Sequence, residues 1–148
     1  MNIGIYGGTF APPHIGHVTA ARAAMEVLGL DKLVLVPDAQ PPHKVLPEGG
    51  AAPRQRYDMA VLATAALGKR AEVSDMELRR SGVSYTADTL AALREQYPDL
   101  PILLMGHSMG SFLSRSYLIR YPGTVDAAII MGTGWQPEMT IRGGLLLA

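Results

Sequence analysis

Apolar runs without polar alternation, separated by stretches of helical spacing, constrain this chain most. Ile3-Gly4-Ile5-Tyr6, Leu33-Val34-Leu35-Val36, Ile102-Leu103-Leu104-Met105 and Ala127 to Met131 are apolar along their length, and Ala71 to Ser74 reads as a shorter strand. A strand that is apolar on both faces needs cover on both, which implies a parallel sheet under helices. Right-handed crossovers then predict a three-layer, doubly wound α/β domain over residues 1–148.

The intervening segments fit that plan. Ile15, Val18, Ala21, Met25 and Leu28 keep helical spacing, and Gly29 stops the helix. Residues 40–53 are rich in proline and glycine and read as a loop. Helices are expected at Arg54 to Leu67, Tyr85 to Tyr97 and Met109 to Tyr121. The chain ends in Gly143-Gly144-Leu145-Leu146-Leu147-Ala148, an apolar segment that is a candidate for self-association.

Charge and composition narrow the function classes. Thirteen basic residues balance thirteen acidic ones. That balance argues against a nucleic-acid or membrane-surface partner, since either requires a concentrated cationic face. With no cysteine, a disulfide framework, a thiolate metal site and a Cys nucleophile are excluded. The start Met1-Asn2-Ile3-Gly4 has no basic-then-apolar export pattern, and no apolar run approaches the roughly 18 residues of a membrane span. The expectation is a cytoplasmic domain.

Two constellations carry chemistry. The first is Tyr6-Gly7-Gly8-Thr9-Phe10-Ala11-Pro12-Pro13-His14-Ile15-Gly16-His17, between the first strand and the first helix. A parallel α/β sheet presents backbone N–H groups and a helix N-terminus to an anion there. Glycines permit close backbone approach to a phosphate. Two histidines three residues apart can both face one bound group and steady charge as a phosphoryl bond breaks.

This string resembles the nucleotidylyltransferase signature G-G-T/S-F-(D/N)-P-x-H-x-G-H, and is most similar to bacterial nicotinate mononucleotide adenylyltransferase. Pro41-Pro42-His43-Lys44, Arg56, Glu72 to Arg80 and Ser84 to Leu90 follow in that family's order, so the likeness covers residues 1 to about 98. It implies a Rossmann-like, five-stranded sheet of order 3-2-1-4-5. It also implies adenylyl transfer from ATP to nicotinate mononucleotide, with Mg²⁺ accompanying ATP and no metal site of the protein's own. By the same resemblance His14 and His17 hold ATP phosphates, Gly7, Gly8, Thr9 and Phe10 line the nucleotide cleft, and Lys44, Tyr85 and Thr86 lie near the pyridine nucleotide. Ala11 stands where the family usually carries Asp or Asn.

The second constellation is Gly106-His107-Ser108-Met109-Gly110, after the fourth strand and opening a helix. G-x-S-x-G in that context is the pattern of a nucleophile elbow. Together with Arg120-Tyr121-Pro122 and Gly132-Thr133-Gly134, it resembles the lysophospholipase or monoacylglycerol-lipase branch of the α/β-hydrolases, from about Asp99 to Ala148. Ser108 would be an orphan nucleophile, because no histidine follows His107 to serve as its base. Ser108 also occupies the place of the adenylyltransferase family's Gly-x-Asp aspartate. The family's late I-S-S-T-x-I/V-R motif finds only Met139-Thr140-Ile141-Arg142, where Thr140 reads as a helix cap and Arg142 as solvated.

Taken together, the two resemblances predict a chimera joined near Tyr97-Pro98-Asp99, an engineered scaffold without efficient catalysis that retains weak nucleotide or phosphate binding at Gly7–His17. The alternative is a nicotinate-nucleotide adenylyltransferase, and a second alternative is a weak serine esterase using Ser108. In a 3-2-1-4-5 sheet the phosphate loop and Ser108 would flank one crevice.

Overall fold

A computed structural model describes residues 1–41, 46–107 and 109–132. Its elements alternate as the sequence implies. β1 (Ile3–Gly8), α1 (Ile15–Val27), β2 (Lys32–Pro37), α2 (Pro53–Thr64), β3 (Ala71–Val73) and α3 (Thr86–Gln96) precede β4 (Leu103–His107), α4 (Met109–Arg120) and β5 (Ala127–Met131). The chain divides into two compact units, Met1–Leu100 and Pro101–Ala148.

In the first unit β1 and β3 both pair in parallel with β2, giving the order 3-2-1. β2 is therefore central, and Leu33, Val34, Leu35 and Val36 are all buried. Phe10, Ala21, Met25, Leu30, Leu33 and Leu35 form one apolar cluster that joins α1 and the β1–α1 loop to the sheet. Gly4 sits close in this packing: a Cβ there would press on the side-chain ends of Leu30 and Leu33, which would have to shift.

α1 ends as its sequence predicts. Gly29 takes a left-handed φ of 58°, its N–H donates to the Glu26 carbonyl, and the Leu30 N–H reaches back to Met25. This is a Schellman closure, with buried Leu30 and Met25 supplying its apolar clasp. α2 opens on Pro53 and stops at Thr64, whereas the sequence pattern ran on to Leu67; residues Ala65–Leu67 tighten into a 3₁₀ turn that ends at Gly68.

In the second unit β4 pairs in parallel with β5, in register from Leu103↔Ala127 to His107↔Met131. The expectation of five strands in one sheet is corrected here. Strand neighbours 3-2-1 and 4-5 are as expected, but they form a three-stranded and a two-stranded sheet. The pattern was insufficient because an apolar strand specifies covered faces, not the identity of the strand along its edge.

α4 lies close on β4. A Cβ on Gly106 would strike the Gly110 carbonyl and the Ser114 hydroxyl, and Ser111 and Ser114, both on α4, are buried. Gly106 thus serves close helix–strand packing within this βα unit. Ser108 lies outside the described residues, as do Lys44 and the segment 133–148 with Thr140, Arg142 and the apolar tail. Among the described residues no helix is long and apolar enough to cross a membrane.

Candidate functional site

At the C-terminal end of β1 the chain leaves the sheet through Gly7 and Gly8 and turns at Thr9-Phe10. Phe10 adopts φ 47°, a left-handed conformation unusual for a bulky residue. Its ring is buried and folds back to within 3.2 Å of where a Gly8 Cβ would stand, so Gly8 makes room for it. The ring meets Tyr6 edge-on at 5.5 Å and His17 at 5.2 Å. This conformation seats the loop on the core beside α1.

His14 and His17 cap α1 reciprocally. The Gly16 N–H donates to His14 Nδ1 at 3.2 Å, and the His14 N–H donates to His17 Nδ1 at 3.1 Å. The arrangement has the logic of a capping box, with imidazoles in place of the usual hydroxyl and carboxamide acceptors. It fixes chemistry as well as stability. A ring nitrogen that accepts a backbone N–H carries no proton, so in each neutral ring the hydrogen sits on Nε2. The two rings lie 3.8 Å apart between centroids, and their Nε2–H donors belong to one helix N-terminus, where an anion is favoured. Burial, and secondarily the neighbouring His14, hold the His17 pKa below the ordinary histidine value. His17 is thereby kept as a neutral donor.

A buried ionic network supports the loop from below. Arg56, on α2, is 0% exposed. Its Nη1 donates to the Thr9 carbonyl at 2.7 Å, the Asp38 carbonyl at 2.7 Å and Asp38 Oδ1 at 3.1 Å; Nη2 donates to the Ala39 carbonyl at 2.8 Å. The Thr9 hydroxyl donates to Asp38 Oδ2 at 3.0 Å. The Ser84 hydroxyl in turn accepts the N–H groups of Ala39 and Gln40 at 3.1 and 3.3 Å, and the Ser84 N–H donates to the Gln40 carbonyl. Residues 38–40 thus tie the β1–α1 loop to the segment that ends in Tyr85 and Thr86, at the start of α3. Tyr85 is exposed.

The structure brings Gly7, Gly8, Thr9, Phe10, His14 and His17 together at the end of β1, and places Tyr85 and Thr86 beyond the same hydrogen-bonded strut. Sequence reasoning noticed Arg56 only as part of a family's residue order, and it missed Asp38. A signal was available for the first: Arg56, Ala60 and Thr64 recur at helical spacing and all are buried, so a cation stands on a core-facing stripe. Among the described residues no cluster of His, Cys, Asp and Glu could hold a metal ion.

Comparison with known proteins points to one family. The cytidylyltransferase-like family matches residues 5–126. The chain is 42% identical, over 99% of its length, to a "probable nicotinate-nucleotide adenylyltransferase" of Aeromonas salmonicida, and covers 68% of that protein. It is 51% identical over 65% of its length to the protein of the same name from Gloeobacter violaceus, covering 46% of it. The chain therefore spans about half to two-thirds of the length of these relatives. Among solved structures, Plasmodium falciparum nicotinic acid mononucleotide adenylyltransferase complexed with NaAD superposes with a TM-score of 0.66 at 18% identity, over 96% of this chain and 70% of that one. The likeness shows a Rossmann-like α/β fold.

These findings correct the expectation of a chimera. Similarity to one family runs through residues 97–99 without a break, so neither a hydrolase fragment nor an engineered junction is supported. The reading erred because G-x-S-x-G is a weak signal in a parallel α/β chain. Glycines recur after strands wherever a helix packs tightly, as Gly106 does here against Gly110 and Ser114.

Proposed function

This chain belongs to the cytidylyltransferase-like family, and from that premise we propose that it transfers the adenylyl group of ATP to nicotinate mononucleotide. A phosphate oxygen of the mononucleotide attacks the α-phosphorus of ATP in line. The bond to the bridging oxygen of the β-phosphate breaks, and pyrophosphate leaves with that electron pair, with no covalent enzyme intermediate. Such transfers depend on positioning and on stabilising charge at the departing oxygens.

The observation that carries this reading is the reciprocal histidine cap. Two Nε2–H donors at the start of α1 suit the growing negative charge on pyrophosphate and need no reorganisation during the step. Gly7 and Gly8 let the backbone approach the nucleotide, while Thr9 and Phe10 shape the wall of its cleft. Lys44, Tyr85 and Thr86 are assigned to the pyridine nucleotide. Mg²⁺ enters with the ATP phosphates as part of the substrate, in keeping with a site built from N–H donors rather than from carboxylates.

Pyrophosphate release from ATP plus nicotinate mononucleotide tests the proposal. Turnover dependent on both substrates and reduced at least about a hundredfold in His17→Ala is expected, the usual scale for removing one preorganised donor. Absence of turnover in the unaltered protein would overturn it.

A further inference from the structure

We propose that Arg56 is a positioning residue that holds both halves of the site at one spacing. The inference rests on the adenylyl-transfer reading and adds a device to it. Arg56 touches neither proposed substrate, since its side chain is fully buried. Its guanidinium instead gathers the carbonyls of Thr9, Asp38 and Ala39, at the ends of β1 and β2. From Thr9 the chain runs directly into Phe10, whose ring meets His17 at 5.2 Å. From residues 39–40 the hydrogen bonds continue through Ser84 to the start of α3.

One planar cation therefore sets where the histidine pair stands and where Tyr85 and Thr86 stand. Arg suits this task because its fork satisfies several acceptors in fixed directions, whereas a lysine ammonium is a point charge on a flexible stem. Asp38 reinforces the same arrangement, accepting from Arg56 through one carboxylate oxygen and from Thr9 through the other.

The role differs from mere stabilisation in its kinetic signature. A destabilised enzyme loses active molecules, so apparent kcat falls while KM is unchanged. Loss of spacing between half-sites raises KM for both substrates together.

The experiment compares Arg56→Lys and Arg56→Met with Thr64→Val, a buried substitution on the same helix that removes a hydroxyl bonded at 2.6 Å to its own helix. Steady-state KM values for ATP and nicotinate mononucleotide are measured, together with the imidazole ¹⁵N resonances of His17 in the ligand-free protein. Both Arg56 variants should lower kcat/KM about tenfold to a hundredfold, the scale of an ångström-sized misplacement, with both KM values rising. They should also move the His17 resonances, and Thr64→Val should leave both KM values unchanged.

Wild-type KM values and unmoved His17 resonances in Arg56→Lys and Arg56→Met would overturn the proposal. If Arg56→Met does not fold, Arg56→Lys and Asp38→Asn decide it by the same two measurements. An unaltered protein with no turnover refutes the adenylyl-transfer reading alone; the His17 spectrum still decides the role of Arg56.

Discussion

Replacing His14 separates its two duties, capping α1 and presenting a hydrogen-bond donor. In His14→Ala the Gly16 N–H loses its acceptor, while the His14 backbone N–H still reaches His17 Nδ1. Half of the reciprocal cap is lost, and an N-cap truncation typically costs ~0.5–2 kcal/mol. For a chain of this size ~1 kcal/mol lowers Tm by roughly 2–4 °C. His14→Asp should behave differently, because aspartate is among the best N-caps and its charge favours the helix N-terminus. Its Tm should return to within about 1–2 °C of the unaltered protein, corresponding to a residual of about half a kcal/mol.

Nucleotide binding should not return with it. A hydrogen bond to a charged group contributes ~1.5–3 kcal/mol, so His14→Ala should weaken ATP about 10- to 150-fold. The carboxylate of His14→Asp, facing phosphates, should weaken it further. Thermal melts by circular dichroism and ATP titration by calorimetry supply the two readings. An Asp variant that melts as low as the Ala variant would refute the capping argument. One that binds ATP as tightly as the unaltered protein would refute the donor argument.

Two further outcomes are expected. Because burial lowers the His17 pKa in the folded state, the unfolded chain binds more protons below about pH 6.5. The stability contributed by neutral His17 is therefore present above that pH and is lost as pH falls through the folded-state pKa; urea melts across pH 5–8 should show the slope, and His17→Gln should flatten it. Gly4→Ala drives a methyl into Leu30 and Leu33, so it should lower the urea midpoint by the equivalent of ~1–3 kcal/mol without changing the KM for ATP.

Much was legible before folding because it is local. The apolar run 33–36 announced a strand buried on both faces, and β2 is that strand, at the centre of its sheet. Gly29 announced the left-handed closure of α1, because a residue without Cβ enters that conformation at little cost. The glycine pair, the histidine spacing and the strand–helix flanks located the candidate site, since each reflects residues within a dozen positions of one another.

Tertiary structure decided the rest because the deciding partners are distant or chemically anonymous. Every residue but proline offers the same backbone N–H, so nothing in the string at 14–17 says that both Nδ1 atoms will be consumed by amides and both Nε2 atoms left as donors. Carbonyls are equally uniform. That Arg56 would reach those of Thr9, Asp38 and Ala39, rather than extend into solvent, depends on how α2 crosses the ends of β1 and β2. Strand adjacency is anonymous in the same way: the apolar runs suggested one five-stranded sheet, whereas the ladders close as 3-2-1 and 4-5.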